Sequence, residues 1–155
     1  MSDLPGLRHE ELDVLQADID DESPQVLGGL MDRALREGAL DCHLTSLQMK
    51  KNRPGTRVEL LCRPEDRERF VRYLLVETST LGVKVRRVER YSLHRHGDDV
   101  LIQGVKVRVK VAKLDGKPIR AVPEYDDCLH AAEKRGLPLK QVLEEARTRC
   151  RHLLE

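Results

Sequence analysis

The stretch LDVLQADIDDESPQVLGGLMDRALREG, Leu12 to Gly38, decides the fold. Leu12 to Asp20 reads as a strand of mixed pattern. Ser23-Pro24 then supplies a helix N-cap followed by proline at the first helical position. Val26, Leu30 and Ala34, with Leu27, Met31 and Leu35, recur at the spacing of one helical face. Gly38 stands where a helix C-terminal stop belongs.

Working outward, Ala39 to Met49 returns as a strand, Lys50 to Thr56 is a loop, and Arg57 to Arg63 is a third strand with Val58, Leu60 and Cys62 on one face. Pro64 opens a second helix through Thr78, with Phe70, Val71, Leu74 and Leu75 on its core side. Gly82 to Leu93 is a fourth strand. The order strand–helix–strand–strand–helix–strand predicts an α+β chain with a ferredoxin-like split βαβ core over residues 12–93. Residues 94–122 read as a β-hairpin extension, Val100 to Ala112 being strongly β and Asp115-Gly116 a turn signal leading to Ile119–Val122. Residues 123–155 read as two helices, around Tyr125 to Arg135 and from Pro138 onward, separated by Gly136-Leu137-Pro138. The expectation is a single domain over 1–155.

Bulk properties narrow the function. The chain has 155 residues, enough for one core, and a formal charge of +1 from 28 basic and 27 acidic residues. That balance, with only Phe70, Tyr73, Tyr91 and Tyr125 as aromatics, argues against a nucleic-acid coat or base-stacking platform. Cys42, Cys62, Cys128 and Cys150 are scattered without a C-x-x-C pair, as reduced cytosolic thiols are. Apolar runs are too short to span a membrane, and Met1 to His9 lacks the apolar stretch of a signal peptide. These features predict a cytoplasmic address.

Four constellations carry candidate chemistry. Asp18-Ile19-Asp20-Asp21-Glu22 closes the first strand; alternation turns Asp18 and Asp20 to one face, and clustered carboxylates suit Mg²⁺ or Mn²⁺. Acids there also suit a turn or the positive end of a helix. Met49-Lys50-Lys51-Asn52-Arg53-Pro54-Gly55-Thr56 sets three cations on a Pro-Gly turn, able to grip a phosphate chain, although no Walker A or G-x-G-x-x-G pattern occurs. A solvated basic hairpin has the same composition. Thr78, Ser79 and Thr80 beside Gly82 can donate to an anion, or cap the helix they follow. Lys106, Arg108 and Lys110 alternate with valines, either lining an anionic site or guarding a strand from aggregation. His94-x-His96 lacks a third neighbouring metal ligand and reads as a polar loop.

Taken in order, Leu15-Gln16-Ala17-Asp18-Ile19-Asp20-Asp21-x-x-Pro24, Gly38-Ala39-Leu40-Asp41, Met49-Lys50-Lys51-x-Arg53-Pro54-Gly55, Glu77-Thr78-Ser79-Thr80-Leu81-Gly82-Val83, Val88-Glu89-Arg90 and Val122-Pro123-Glu124-Tyr125-Asp126-Asp127-Cys128 resemble a known pattern. It is that of the C-terminal domain of the nickel insertion protein (LarC) family of nickel-pincer nucleotide cofactor biosynthesis. The resemblance runs from about Leu15 to Val142. It implies a CTP-dependent nickel chelatase or cyclometallase, a lyase, that inserts Ni²⁺ as substrate metal into pyridinium-3,5-bisthiocarboxylic acid mononucleotide. It further implies CTP bound with Mg²⁺ or Mn²⁺: Lys50, Lys51, Arg53, Thr56, Thr78, Ser79, Thr80 and Arg90 on the triphosphate, Asp20 and Asp21 with Asp18 on the metal. The family usually has an amide at the position of Asp18. Its full-length proteins carry an N-terminal half and a His-rich stretch, so that half is an expected partner; no catalytic residue is assigned.

Two other readings stand beside this one. One is a non-catalytic ferredoxin-like module that binds a small anion or mediates assembly, since that fold hosts many functions. The other is an RNA-binding module using the basic loop. A homo-oligomer is also expected, because the valine face of residues 105–111 needs covering.

Overall fold

The structure is a computed structural model that describes residues 4–155. In chain order it contains β1 (Leu7–Ile19), α1 (Pro24–Arg36), β2 (Asp41–Met49), β3 (Arg53–Cys62), α2 (Arg67–Glu77), β4 (Lys84–Ile102), β5 (Val105–Leu114), β6 (Lys117–Pro123), α3 (Tyr125–Arg135) and α4 (Leu139–Cys150). Residues 10–90 form one compact unit, and residues 4–9 with 91–155 form another. The α+β class expected from the sequence is the one observed.

In the unit of residues 10–90 the strands run in the order β2-β3-β1-β4, with β3 antiparallel to both neighbours. This is the ferredoxin-like arrangement. Ser23 caps α1 by accepting the Gln25 amide at 3.2 Å, as Ser-Pro at a helix start predicts. Both helices cover one sheet face, where Leu15, Ala17 and Ile19 of β1 and Val58, Leu60 and Cys62 of β3 meet Leu27, Leu30 and Ala34 of α1 and Phe70 and Leu74 of α2. Two details differ from the periodicity. Leu75 is exposed and Tyr73 takes its place inside, its hydroxyl donating to the Leu30 carbonyl at 2.8 Å. Val26 and Leu35 also lie on the solvent side of α1.

In the other unit β5 lies between β4 and β6. The strand expected over Val100–Ala112 is broken: Gln103 and Gly104, at φ 49° and 76°, make a hairpin turn between β4 and β5. A left-handed glutamine carries no sequence signal as Asn or Asp does, whereas Asp115-Gly116 turns as expected. Val105, Val107, Val109 and Val111 are buried, packed with residues of α3, α4 and the C-terminal turn such as Cys128, Val142, Cys150 and Leu153. The chain's own helices therefore cover the valine face, which removes the reason for which a partner copy was expected there. The alternating cations are paired: Lys106 with Asp99, Arg108 with Asp127 and Lys110 with Glu124. All four cysteines are free thiols in the interior, and burial pushes Cys42 and Cys62 up to about 11. No helix among the described residues is long and apolar enough to cross a membrane.

One buried charge ties three elements together. Asp13 of β1 is fully enclosed and accepts from Arg67 of α2 and Arg87 of β4, each at 2.7 Å. The Arg67 guanidinium, aided by Arg87, holds its carboxyl below the ordinary value of 3.8 against the cost of burial. Asp13→Ala leaves two guanidinium groups facing a dry void, yet both keep one side in water, so roughly 3 kcal/mol is the expected loss. Because the folded-state value is the lower one, this stabilisation is present above the unfolded value and is lost as pH falls below about 4. Urea unfolding between pH 7 and 3 should show that acid-side decline in the parent chain and a weaker one in Asp13→Asn, which is already less stable at pH 7.

Candidate functional site: an acidic strand end beneath a basic hairpin

Asp20, just past the end of β1, and Arg53, at the start of β3, meet in space. Strands β2 and β3 stay paired to Met49↔Arg53, so the expected loop shrinks to Lys50–Asn52. Lys51 and Asn52 close it with φ of 60° and 57°, and the Gln48 side-chain amide donates to the Asn52 side-chain oxygen Oδ1 at 3.1 Å. The hairpin then presses on β1: a Cβ at Gly55 would stand 2.9 Å from the Ile19 carbonyl oxygen and 2.5 Å from the Met49 sulfur. Only glycine permits that approach. As a result Thr56 lies opposite Ile19, and Arg53 reaches Asp20 at 3.2 Å.

Alternation turns Asp18 and Asp20 away from Ile19, which is buried in the core. Asp18 accepts from Arg57 at 2.7 and 3.2 Å and from Lys84 at 2.9 Å. Those donors, Arg57 foremost, hold its carboxyl far below the usual carboxylate range. Asp18 is thus already matched by two cations. Asp21, exposed, accepts from the Ser79 hydroxyl, which brings the end of α2 to the same place.

The remaining candidates separate. Thr78 donates to the Leu74 carbonyl at 2.7 Å and accepts the Thr80 amide, while Thr80 donates to the Gly82 carbonyl at 3.0 Å. These two hydroxyls cap the helix and shape its exit. Lys50 and Lys51 are exposed at the hairpin tip. Arg90 binds Glu10 at 2.8 Å, six residues along β4 from Lys84 and so about 20 Å away at the usual strand rise. Among the described residues no three His, Cys, Asp or Glu side chains gather to hold a metal. Arg57 and Lys84 were not singled out in the sequence; the register Asp18↔Arg57 is the signal that finds the first.

The family model described as nickel insertion protein matches residues 2–143. The chain belongs to the nickel insertion protein family. Curated relatives carrying the family's name are 41% identical over 94% of the chain in Geobacter sulfurreducens and 44% identical over 92% of it in Myxococcus xanthus. The chain spans 37% of the length of each of these family members. Among solved structures it is similar to LarC2, the C-terminal domain of a cyclometallase involved in the synthesis of the NPN cofactor of lactate racemase, in apo form. That likeness has a TM-score of 0.84 and 31% identity, over 92% of this chain and 98% of that one. A protein from Methanopyrus kandleri is similar over 94% of this chain with a TM-score of 0.69 and 29% identity.

Gly55 tests the geometry of this family member directly. Gly55→Ala should force the hairpin from the β1 end and cost roughly 1–3 kcal/mol. Gly82→Ala, where an added Cβ meets nothing within 4 Å, should stay within about 0.5 kcal/mol. Urea midpoints of the two variants check this; equal midpoints would show that the close approach constrains nothing.

Proposed function

We propose that the chain is the CTP- and metal-binding part of a nickel insertase that builds the nickel-pincer nucleotide cofactor in the cytosol. Nickel is its substrate metal and pyridinium-3,5-bisthiocarboxylic acid mononucleotide its organic substrate. The observation that supports the reading is the Arg53–Asp20 contact, which joins the basic hairpin to the acidic end of β1, together with family membership.

A triphosphate needs several cations and a hard divalent metal to spread its charge. The hairpin supplies the first: two point charges at the tip and, in Arg53, a planar fork for phosphate oxygens. Asp20 and Asp21 supply hard oxygen donors, and one or two carboxylates suffice for a metal that keeps waters and phosphate oxygens as its other ligands. Mg²⁺ or Mn²⁺ bound there would neutralise the phosphates. The Arg53–Asp20 pair is the resting state of this arrangement: Arg53 turns to phosphate while Asp20 turns to the cation. Asp18, held by Arg57 and Lys84, steadies the strand end without joining the exchange. Ser79 orients Asp21.

Calorimetry with CTP and Mn²⁺ tests the assignment. CTP should bind in preference to ATP and GTP, and Lys50→Ala, Lys51→Ala and Arg53→Ala should each lose roughly 1.5–3 kcal/mol of affinity. Asp20→Asn and Asp21→Asn should weaken binding with Mn²⁺ present and much less in chelator. Unchanged CTP affinity in all three hairpin variants would remove the reading.

The second expectation concerns turnover. Nickel is captured by imidazole and thiolate groups held close together, and no such group of three occurs among the described residues. The chain spans 37% of the length of that family member, so the N-terminal part is the proposed source of the nickel ligands and a partner in the reaction. Mixing the chain with Ni²⁺, CTP, Mn²⁺ and the thiocarboxylated mononucleotide should give no repeated turnover by mass spectrometry until that part is added. Multiple turnovers by the chain alone would overturn this division of labour.

A further inference from the structure

Gly97 interrupts a row of long side chains. On β4 it stands between Arg95 and Asp99, and it lies opposite Lys110 of β5, with Asp99 opposite Arg108. Residues opposed across an antiparallel pair share a face. The valines that alternate with Arg108 and Lys110 pack against α3, α4 and the C-terminal turn, so Gly97 opens on the side away from those helices. A Cβ built on it would meet nothing within 4 Å. Above it lies a groove of about 540 Å³ whose walls include Arg95, Asp99, Arg108, Lys110 and Glu124. Small-molecule sites usually measure roughly 300–1,000 Å³.

The charges around the groove are not equivalent. Arg108 is fixed by Asp127, which accepts from its guanidinium at 2.7 and 2.8 Å and from its amide at 2.9 Å. Lys110 meets Glu124 at 2.6 Å, but both side chains are partly in solvent, where an ion pair is weak and easily exchanged. Arg95 is exposed and makes no hydrogen bond or ion pair with another described residue. Asp99 gives Oδ2 to Lys106 at 2.7 Å and keeps Oδ1 for another donor. Arg95 and Lys110 are diagonal neighbours on this face, roughly 7–8 Å apart. Asp99 is four residues along β4 from Arg95, roughly 14 Å at the usual strand rise. One end of the groove thus suits a phosphate held between two cations, and the other suits hydroxyl groups that donate to carboxylates.

We propose that the groove over Gly97 binds a ribose 5-phosphate group, free or as part of a mononucleotide, with Arg95 and Lys110 on the phosphate and Asp99 and Glu124 accepting from the sugar hydroxyls. Lys110 turns from Glu124 to the phosphate, and the carboxylate it leaves is then open to a hydroxyl. Glycine at position 97 keeps the floor low enough for the sugar to lie on the sheet. Lys50, Lys51, Arg53, Asp20 and Asp21 line no part of this groove, so the inference is independent of the CTP reading and stands even if that reading fails.

Titrating the isotope-labelled 155-residue chain with ribose 5-phosphate, followed by NMR, reads the site directly. The Gly97 amide should shift saturably, with a Kd roughly fivefold or more below that of inorganic phosphate, while ribose alone shifts nothing. Tighter binding of adenosine monophosphate than of ribose 5-phosphate would mark a mononucleotide as the occupant, and weaker binding the free sugar phosphate. Gly97→Val fills the groove without displacing an atom, so its melting should match the parent while binding is lost. Arg95→Ala should raise the Kd roughly tenfold, and Lys117→Ala, an exposed cation outside the groove, by less than about twofold. Glu124→Ala should tighten inorganic phosphate by freeing Lys110 and narrow the advantage of the sugar. Inorganic phosphate binding as tightly as ribose 5-phosphate to the parent would overturn the assignment. So would equal losses in Arg95→Ala and Lys117→Ala, or binding that survives in folded Gly97→Val.

Discussion

Gly55 rests so close to the Ile19 carbonyl that a methyl group would stand 2.9 Å from it. The candidate site depends on that approach. It stops the β2–β3 hairpin from splaying, aligns Thr56 with Ile19 and sets Arg53 over Asp20. Met49-Lys50-Lys51-Asn52-Arg53-Pro54-Gly55 is therefore one mechanical unit. Its glycine seats it, its left-handed Lys51 and Asn52 close it, and its cations are what it carries.

The electrostatics around this seat fall into two kinds. Asp13 and Asp18 are saturated: each accepts from two cationic side chains, and both carboxyls are held below their ordinary value. Such pairs are costly to break from one side and serve as fixed struts. Asp20 and Asp21 have weaker claims on them, a single guanidinium at 3.2 Å and a serine hydroxyl. An incoming phosphate and cation can replace those partners without stranding a charge. The division between strut and exchangeable acid follows from neighbours, since all four are the same residue type.

Edges show a parallel division. Prolines and cations stand along β6, whereas β2 from Cys42 to Met49 carries neither proline nor a Lys or Arg. On β5 the valine face is closed by α3 and α4, and each cation on its other face is claimed by an acid.

Local pattern alone determined the order of elements, the Ser23 cap, the Asp115-Gly116 turn and the Val58–Leu60–Cys62 core face, because periods of two and 3.6 and turn chemistry act over a few residues. Motif order along the chain likewise pointed to the nickel insertion family before any coordinates. Tertiary structure decided the rest. Which leucine or tyrosine of α2 went inside turned on a hydrogen bond to Leu30, 43 residues away. The partners of Asp18 lie 39 and 66 residues distant and appear only when strand register is set. Thr78 and Thr80 became caps, and Arg90 a partner of Glu10, because distance along a folded strand or helix end, not sequence motif, governs what a side chain can reach.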